Sequence, residues 1–472
     1  MGSIRRQFIS GTFFIAIARY SSVFINIAVT AILARLIIPE HFAIVAITSV
    51  IYNFFNLFSD FGFASAIIQR QDLENKDYSN IFSISAYIGI FLSIILFFSA
   101  ELLSEIYEQQ ILCTLVRLLT IQVLFTSLNI VPNALLTKSK EFRFIAVRTV
   151  FISILTGTCA IVYAILYQNI FSLIISPILT SIFIFTANFI KIGFLRFYIF
   201  PSWNSIKKIL NYSAYSLSYN IINYMSRNLD TLIIGKFLPM RDLAFYEKSY
   251  TLMLFPIMNI ISIVNPVIHP ILSKYQDDRN YIYKYFNIAL RLFAWIGFPV
   301  SVVLSVFSEE FIHIMLGKDW DGAIPIFRAF SLSIGFQFIY TLQGPFFLIR
   351  NLPKAMFACG LATALMNIVA LMTGLFVFHS TLVIALLIDI SYILSTFITF
   401  YYLYKLGFHS EFRDFCYNIF KPLLISIFYL CTLSIIQYTQ QDMLANILKY
   451  GITIIFLIFS VIKIKKAFLL SK

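Results

Sequence analysis

"ILARLIIPEHFAIVA" (residues 32–46) and "IIGKFLPMRDLAFYE" (residues 233–247) are the two stretches that decide the fold. Aligned, Arg35 falls on Lys236, Phe42-Ala43 falls on Leu243-Ala244, and Pro39 and Pro239 match within one position. Each is a short polar turn between two long apolar runs. "QRQD" (69–72) pairs in the same manner with "KYQDD" (274–278). The offset spans six apolar segments, an even number, so both copies enter a membrane in the same sense. That predicts a parallel duplication about an axis along the membrane normal.

Composition agrees with a membrane interior. Hydrophobic residues make up 60% of the 472 and charged residues only 12%, with a mean hydropathy of +0.86; a soluble domain carries about 25% charged residues. Apolar runs of about 20 residues, enough to cross the ~30 Å hydrocarbon core, recur from end to end. Such runs must be helices, because lipid offers the backbone no hydrogen bonds. A barrel is excluded, since it needs ~10-residue alternating segments with a polar lumen face. Fourteen spans are expected, at 11–34, 43–68, 80–100, 112–136, 145–166, 170–190, 211–235, 243–271, 286–307, 323–349, 355–377, 381–404, 421–438 and 444–462. The expected fold is therefore an all-α integral membrane protein of about fourteen transmembrane helices. Two six-helix lobes, 1–196 and 197–404, are followed by a C-terminal helix pair and basic tail, 405–472.

Lysine and arginine set the orientation. With the N-terminus inside, the cytoplasmic segments hold 23 of them and the opposite loops four, Arg35, Lys236, Arg241 and Lys318. Both termini are expected in the cytoplasm. The net charge of +13 is then positive-inside anchoring against anionic lipid, and no nucleic-acid partner is expected. "MGSIRRQF" opens the first span; its apolar run is too long for a signal peptide and no convincing cleavage site follows. The five cysteines form no CxxC pair and the five histidines no ligand spacing, so neither a metal nor a redox centre is expected.

Several function classes drop out. The external loops are short, the longest running from about Ser308 to Gly322. There is no "GxxxxGK[ST]", no "HExxH" and no "GxSxG". Hence no catalytic residue and no cofactor are expected. A gradient or the substrate's own concentration difference must drive any transport, the profile of a secondary transporter.

An ordered series of stretches resembles the multidrug/oligosaccharidyl-lipid/polysaccharide exporter superfamily. They are "ARLIIPEHFAIVA" (34–46), "FSDFGFASAIIQR" (58–70), "SRNLDTLIIGKFL" (226–238), "LAFYEKSYTLMLFPIMNI" (243–260) and "FIHIMLGKDWDGAIPIFR" (311–328). Within it the chain is most similar to bacterial polysaccharide and lipopolysaccharide-type flippases. His41-Phe42 and Pro239-Met240 stand where that family more often has Phe-Gly and Gly-Pro turns. The resemblance implies two lobes around a polar cavity and an undecaprenyl-diphosphate-linked oligosaccharide as cargo, turned to the outer leaflet by alternating access. It also implies a lateral lipid groove at the last two helices. A polysaccharide polymerase and chain-length machinery are the partners it suggests, besides membrane lipids. An exporter of another cargo on the same fold (a drug or a peptidoglycan precursor) and a membrane enzyme of polysaccharide assembly are the alternatives.

A diphosphate-linked headgroup needs a wet, cationic lumen, and arginine suits phosphate through its planar, always-charged fork. The candidate cations are Arg19, Arg117, Arg227, Lys248 and Arg328. Arg227 lies deepest; Asp230, three residues on, is within ion-pair reach on the same helical face. The bland reading is that the two neutralise each other at a helix interface. Arg148 and Arg291 sit one turn from the cytoplasmic ends of their spans, where snorkelling suffices. Glu247 and Lys248 serve either rim anchoring or gating. Asn26 and Asn220 are candidates for sugar hydroxyls, or for bridging helices, as are Asn56, Asn223, Asn259 and Gln337. Asp60, Asp230 and Asp389 are acids at membrane depth, the candidates for coupling a proton or sodium ion. Asp60, inside "SDFGF", also suits a bond to a neighbouring helix. Tyr219, Tyr224, Tyr246 and Tyr250 lie near the polar cluster.

Overall fold

The computed structural model describes residues 2–60, 63–70, 72–202, 224–225, 228–439 and 443–469. Among these there are sixteen α-helices and no strand. The chain divides into two compact units, Met1–Ala244 with Met315–Asp319, and Phe245–Ile314 with Trp320–Lys472.

The first unit holds α1 (Gly2–Leu36), α2 (Pro39–Asp60), α3 (Phe63–Gln69), α4 (Asn75–Tyr107), α5 (Gln110–Lys138), α6 (Phe142–Tyr167) and α7 (Phe171–Ile192), then the helical residues 228–237. Pro39 begins α2, the one turn position where its missing N–H costs nothing. Around α5 pack α4, α7, α2 and α3, while α1 lies on α6. Lipid tails are as apolar as leucine, so helices associate through small residues and interhelical hydrogen bonds. Both devices are present. A Cβ on Gly157 of α6 would lie 2.7 Å from Val29 Cγ2 of α1, and one on Gly89 of α4 2.6 Å from Ser127 Cβ of α5. Ser93 Oγ donates to the Thr120 carbonyl at 3.0 Å. One end of the unit is closed by buried Phe63, Ile67, Ile81, Val131 and Leu195. The chain leaving α7 lies along α4, its backbone N–H groups donating to side chains. Arg196 bonds Ser79 (3.2 Å), Tyr198 bonds Ser83 (2.8 Å) and Ser202 bonds Asn80 (2.9 Å), which satisfies an extended strap that has no partner strand.

The second unit holds most of α8 (Met240–Leu272), then α9 (Arg279–Val306), α10 (Ser308–Met315), α11 (Ala323–Tyr340), α12 (Gln343–Ile349), α13 (Pro353–Phe376), α14 (Thr381–Tyr402), α15 (Phe412–Thr439) and α16 (Met443–Leu469). A π-helical turn, Leu403–Phe408, ends α14. Here α9 is central, packing on α11, α15 and α16, while α14 packs on α11 and α13. At the α9–α11 crossing glycine faces glycine: a Cβ on Gly297 would come within 3.1 Å of Gly335 Cα, and one on Gly335 within 2.3 Å of Phe298 Cδ1. Ser301 Oγ then reaches the Ser331 carbonyl at 2.6 Å. Phe286, Phe346, Phe400, Tyr404, Phe408 and Phe415, all fully buried, fill one end of the unit.

Eleven helices among the described residues are long and apolar enough to cross a membrane. They match eleven of the fourteen expected spans. Of the other three, 243–271 and 444–462 fall within continuous helices of 33 and 27 residues, and 211–235 falls mostly outside the described residues. Two boundaries move. The expected span 43–68 holds α2 and α3, and residues 61–62 between them lie outside the described residues. The expected 323–349 turns at Thr341-Leu342, and the thirteenth span starts at Phe412. The protein is a multi-pass membrane protein.

Candidate functional site

In the first unit α1 is exposed on two opposed faces. Arg19 and Asn26, seven residues apart, share one face, with half-buried Thr30 beside them. Ile17 (44% exposed) and Phe24 (74% exposed) lie roughly 150° away around the helix axis. The flank between, around Val29, is closed against Gly157 of α6. Hydrocarbon suits Ile17 and Phe24. It does not suit an exposed guanidinium two turns from an exposed amide, which need water or protein. One side of α1 is thus built for lipid and the other for a polar space.

A second cation of this unit is held differently. Arg148 of α6 donates from Nη1 to Asn188 Oδ1 of α7 and from Nη2 to Thr149 Oγ1. Asn188, fully buried, passes its own Nδ2 donor to Asn129 Oδ1 of α5 at 2.7 Å. The Nε atom of Arg148 is buried with no partner among the described residues. The partners, an amide and a hydroxyl, are neutral, so the guanidinium keeps its whole charge inside a three-helix contact. The signal available in sequence is Asn188 itself, an amide in an otherwise apolar run.

The remaining candidates of this unit separate. Arg117 ion-pairs with Glu101 at 2.6 Å and lies 4.9 Å from the centre of the Phe97 ring. Its charge is committed to α4. Asp230 is half-buried, and its Oδ1 accepts the Thr231 N–H at 2.8 Å. Tyr224 donates to the Val50 carbonyl at 2.9 Å. Arg227, Asn220, Asn223 and Tyr219 lie outside the described residues, as does the side chain of Asp60.

In the second unit the acid stands out. Asp389 of α14 is 5% exposed, and neither carboxylate oxygen completes a hydrogen bond among the described residues. The Ser333 hydroxyl of α11 stands beside it without meeting hydrogen-bond geometry; that hydroxyl accepts from Gln337 Nε2 at 2.9 Å. One turn along α14, Tyr392 meets Tyr250 of α8 hydroxyl to hydroxyl at 3.0 Å. Ser391 bonds Asn367 of α13 at 2.6 Å. Chemically this is a buried carboxylate beside one hydroxyl, with no arginine or lysine partner among the described residues, a group able to carry a proton or a small cation. Lys248 ion-pairs with its neighbour Glu247 at 3.1 Å, and Glu247 also accepts from Thr251 at 2.9 Å. Arg328, exposed on α11, donates from Nε to Ser308 Oγ at 3.0 Å. No group of three or more His, Cys, Asp or Glu able to hold a metal occurs among the described residues.

Comparison with known proteins places this architecture. Residues 32–325 match the family described as polysaccharide biosynthesis protein. The lipopolysaccharide biosynthesis protein WzxC of Escherichia coli (strain K12) is 26% identical over 331 residues, covering 69% of this chain and 66% of WzxC. The teichuronic acid biosynthesis protein TuaB of Bacillus subtilis (strain 168) is 24% identical over 341 residues, covering 70% of this chain and 69% of TuaB. The matched region thus spans about two thirds of the length of each relative. Among solved structures, the lipid II flippase MurJ in an inward closed conformation superposes with a TM-score of 0.74 at 18% identity, covering 96% of this chain and 99% of that one.

Proposed function

The chain belongs to the polysaccharide biosynthesis protein family, with the fold of the multidrug/oligosaccharidyl-lipid/polysaccharide exporter superfamily, and on that premise we propose that it is a lipid-linked oligosaccharide flippase of the bacterial cytoplasmic membrane. Its cargo in this reading is an undecaprenyl-diphosphate-linked repeat unit for capsule, exopolysaccharide or O-antigen. The cargo moves from the cytoplasmic to the outer leaflet by alternating access, with both termini in the cytoplasm. The names of the two relatives, both proteins of polysaccharide biosynthesis, support this cargo class.

The observation that carries the proposal is the polar face of α1. A helix that shows lipid Ile17 and Phe24 and turns Arg19 and Asn26 the other way supplies one wall of a wet passage through hydrocarbon. In that passage Arg19, with Arg227 from the start of the second repeat, meets the diphosphate, each charged hydrogen bond contributing about 1.5–3 kcal/mol. Asn26 and Asn220 exchange hydrogen bonds with sugar hydroxyls. Lys248, Arg328 and Arg117 are the further cations proposed to attract the headgroup, Arg117 while paired with Glu101. The driving step is assigned to a proton or sodium ion at Asp389, with Asp60 and Asp230 as further coupling groups. Downstream, a polysaccharide polymerase and its chain-length machinery consume the flipped product.

The test is transfer of a fluorescent undecaprenyl-diphosphate oligosaccharide in proteoliposomes, read by its accessibility to a membrane-impermeant quencher. Transfer should need the protein and fall at least tenfold in Arg19→Ala. Equal transfer by protein-free vesicles, or full activity of that variant, would overturn the assignment.

A further inference from the structure

The face formed by α9, α15 and α16 carries a second cationic arrangement that the export reading does not use. Arg291 of α9 is exposed, yet it is not free to sweep. Its Nε donates to Asn418 Oδ1 of α15 at 2.6 Å. Asn418, 7% exposed, donates in turn to Asn287 Oδ1 at 2.6 Å. Asn287 also accepts from the buried Tyr404 hydroxyl at 2.6 Å, and its own Nδ2 bonds the Tyr283 carbonyl at 3.0 Å. The acid nearest this chain of bonds, Asp414, is taken by the Tyr283 hydroxyl at 2.6 Å. Arg291 is therefore fixed through Nε by a buried neutral relay. Its two terminal NH2 groups are left as a planar fork, the geometry that reads phosphate.

A second cation comes to the same level. α9 and α16 run antiparallel, because Trp295 meets Phe459 (6.1 Å between ring centres) while Phe307 meets Tyr450 (5.4 Å). Arg291 is one turn before Trp295, and Lys463 is one turn after Phe459, its Nζ 5.0 Å from that ring's centre. In antiparallel helices both steps lead toward the same end. Neither cation ion-pairs with an acid among the described residues. Away from that end the face turns apolar, with Phe459 38%, Ile458 55% and Ile455 68% exposed. Two cations above an aromatic and aliphatic surface complement one chemistry, a phosphate that carries acyl chains.

We propose that Arg291 and Lys463 hold the phosphate of an anionic phospholipid, which seats the last two helices, α15 and α16, against α9. Snorkelling alone asks for no buried relay. The Asn418–Asn287–Tyr404 network is what makes this a built site, and it couples lipid occupancy to the docking of α15. This inference does not depend on the identity of the cargo.

The experiment uses the full-length protein in detergent. Native mass spectrometry measures binding of phosphatidylglycerol and of phosphatidylethanolamine, alongside melting temperature, for wild type, Lys463→Gln, Arg291→Lys and Arg291→Gln/Lys463→Gln. Phosphatidylglycerol should bind wild type at least tenfold more tightly than phosphatidylethanolamine and raise its melting temperature. Lys463→Gln, which leaves the relay intact, should lose several-fold of that preference. Arg291→Lys should lose it too while keeping the charge, and the double variant should show none. Unchanged phosphatidylglycerol preference in Lys463→Gln and Arg291→Lys would overturn the proposal even if the double variant failed to fold. Displacement of bound phosphatidylglycerol by equimolar undecaprenyl phosphate would also overturn it, assigning the cations to the cargo's carrier. Displacement by inorganic phosphate alone would remove the acyl surface from the site and sink the docking role.

Discussion

Replacing Arg148 by alanine should destabilise the first unit by an amount that its neighbours determine. Asn188 is fully buried. It keeps its donor bond to Asn129 at 2.7 Å but loses the guanidinium that its Oδ1 accepts from. A buried acceptor stripped of a charged donor costs about 1.5–3 kcal/mol. For a unit of this size, that corresponds to roughly 2–4 °C of melting temperature per kcal/mol. Fluorescence-detected size-exclusion chromatography after heating measures it. Asn188→Leu alone should cost at least as much, because it leaves Arg148 buried without its amide. The pair Arg148→Met with Asn188→Leu should recover part of the loss, since both ends of the Arg148–Asn188 bond become apolar while half-buried Asn129 loses its donor. A double-mutant cycle showing strict additivity, with no coupling between the positions, would refute the reasoning. The recovered double variant then separates structure from transport. Normal flipping would make Arg148 a structural cation only, whereas a stable protein that fails to flip would place it on the headgroup's path.

Gly297→Ala should lower stability by about 1–3 kcal/mol, the range for overpacking, because its new methyl meets the Gly335 backbone at 3.1 Å; a melting temperature equal to wild type would mean the α9–α11 crossing is looser than described. Asp389→Asn should fold and reach the membrane yet lose any dependence of flipping on an imposed ion gradient; if wild-type vesicles flip equally well with proton and sodium gradients both collapsed, ion coupling fails for all three acids. Arg227→Ala should leave protein level intact and abolish export, with Arg227→Lys rescuing only in part because a point charge cannot reproduce the fork. Full export by Arg227→Ala combined with Asp230→Asn would instead mark the two as a structural pair.

Hydropathy carried most of the span map, because length and apolarity are local properties of a chain. It failed where geometry depends on a break that averaging smooths over: Thr341-Leu342 divides what reads as one run, 323–349. Side-chain partners were legible only when close in sequence. Lys248 with Glu247 is an adjacent pair, and Arg117 with Glu101 lies across one turn between helices. Arg148 finds Asn188 on the next helix, and Arg291 finds Asn418 far along the chain; nothing in the local pattern of either arginine announces an amide so distant. The same holds for Asp389, whose depth is readable but whose lack of a hydrogen bond among the described residues depends on how α11 packs beside α14.

The choice of amide over carboxylate beside Arg148 and Arg291 has a consequence for how the protein behaves as its surroundings acidify. Asn129, Asn188, Asn287 and Asn418 have no proton to gain or lose, and a guanidinium stays charged throughout the physiological range. A carboxylate in the same places would have added a titratable group whose state, and hence whose hold on the helices, follows pH once its folded-state pKa is reached. With amides, the attraction these two arginines offer a phosphate is the same at pH 5 as at pH 8. Helix packing at both contacts is thereby insulated from the very gradient that, at Asp389, is proposed to drive the cycle.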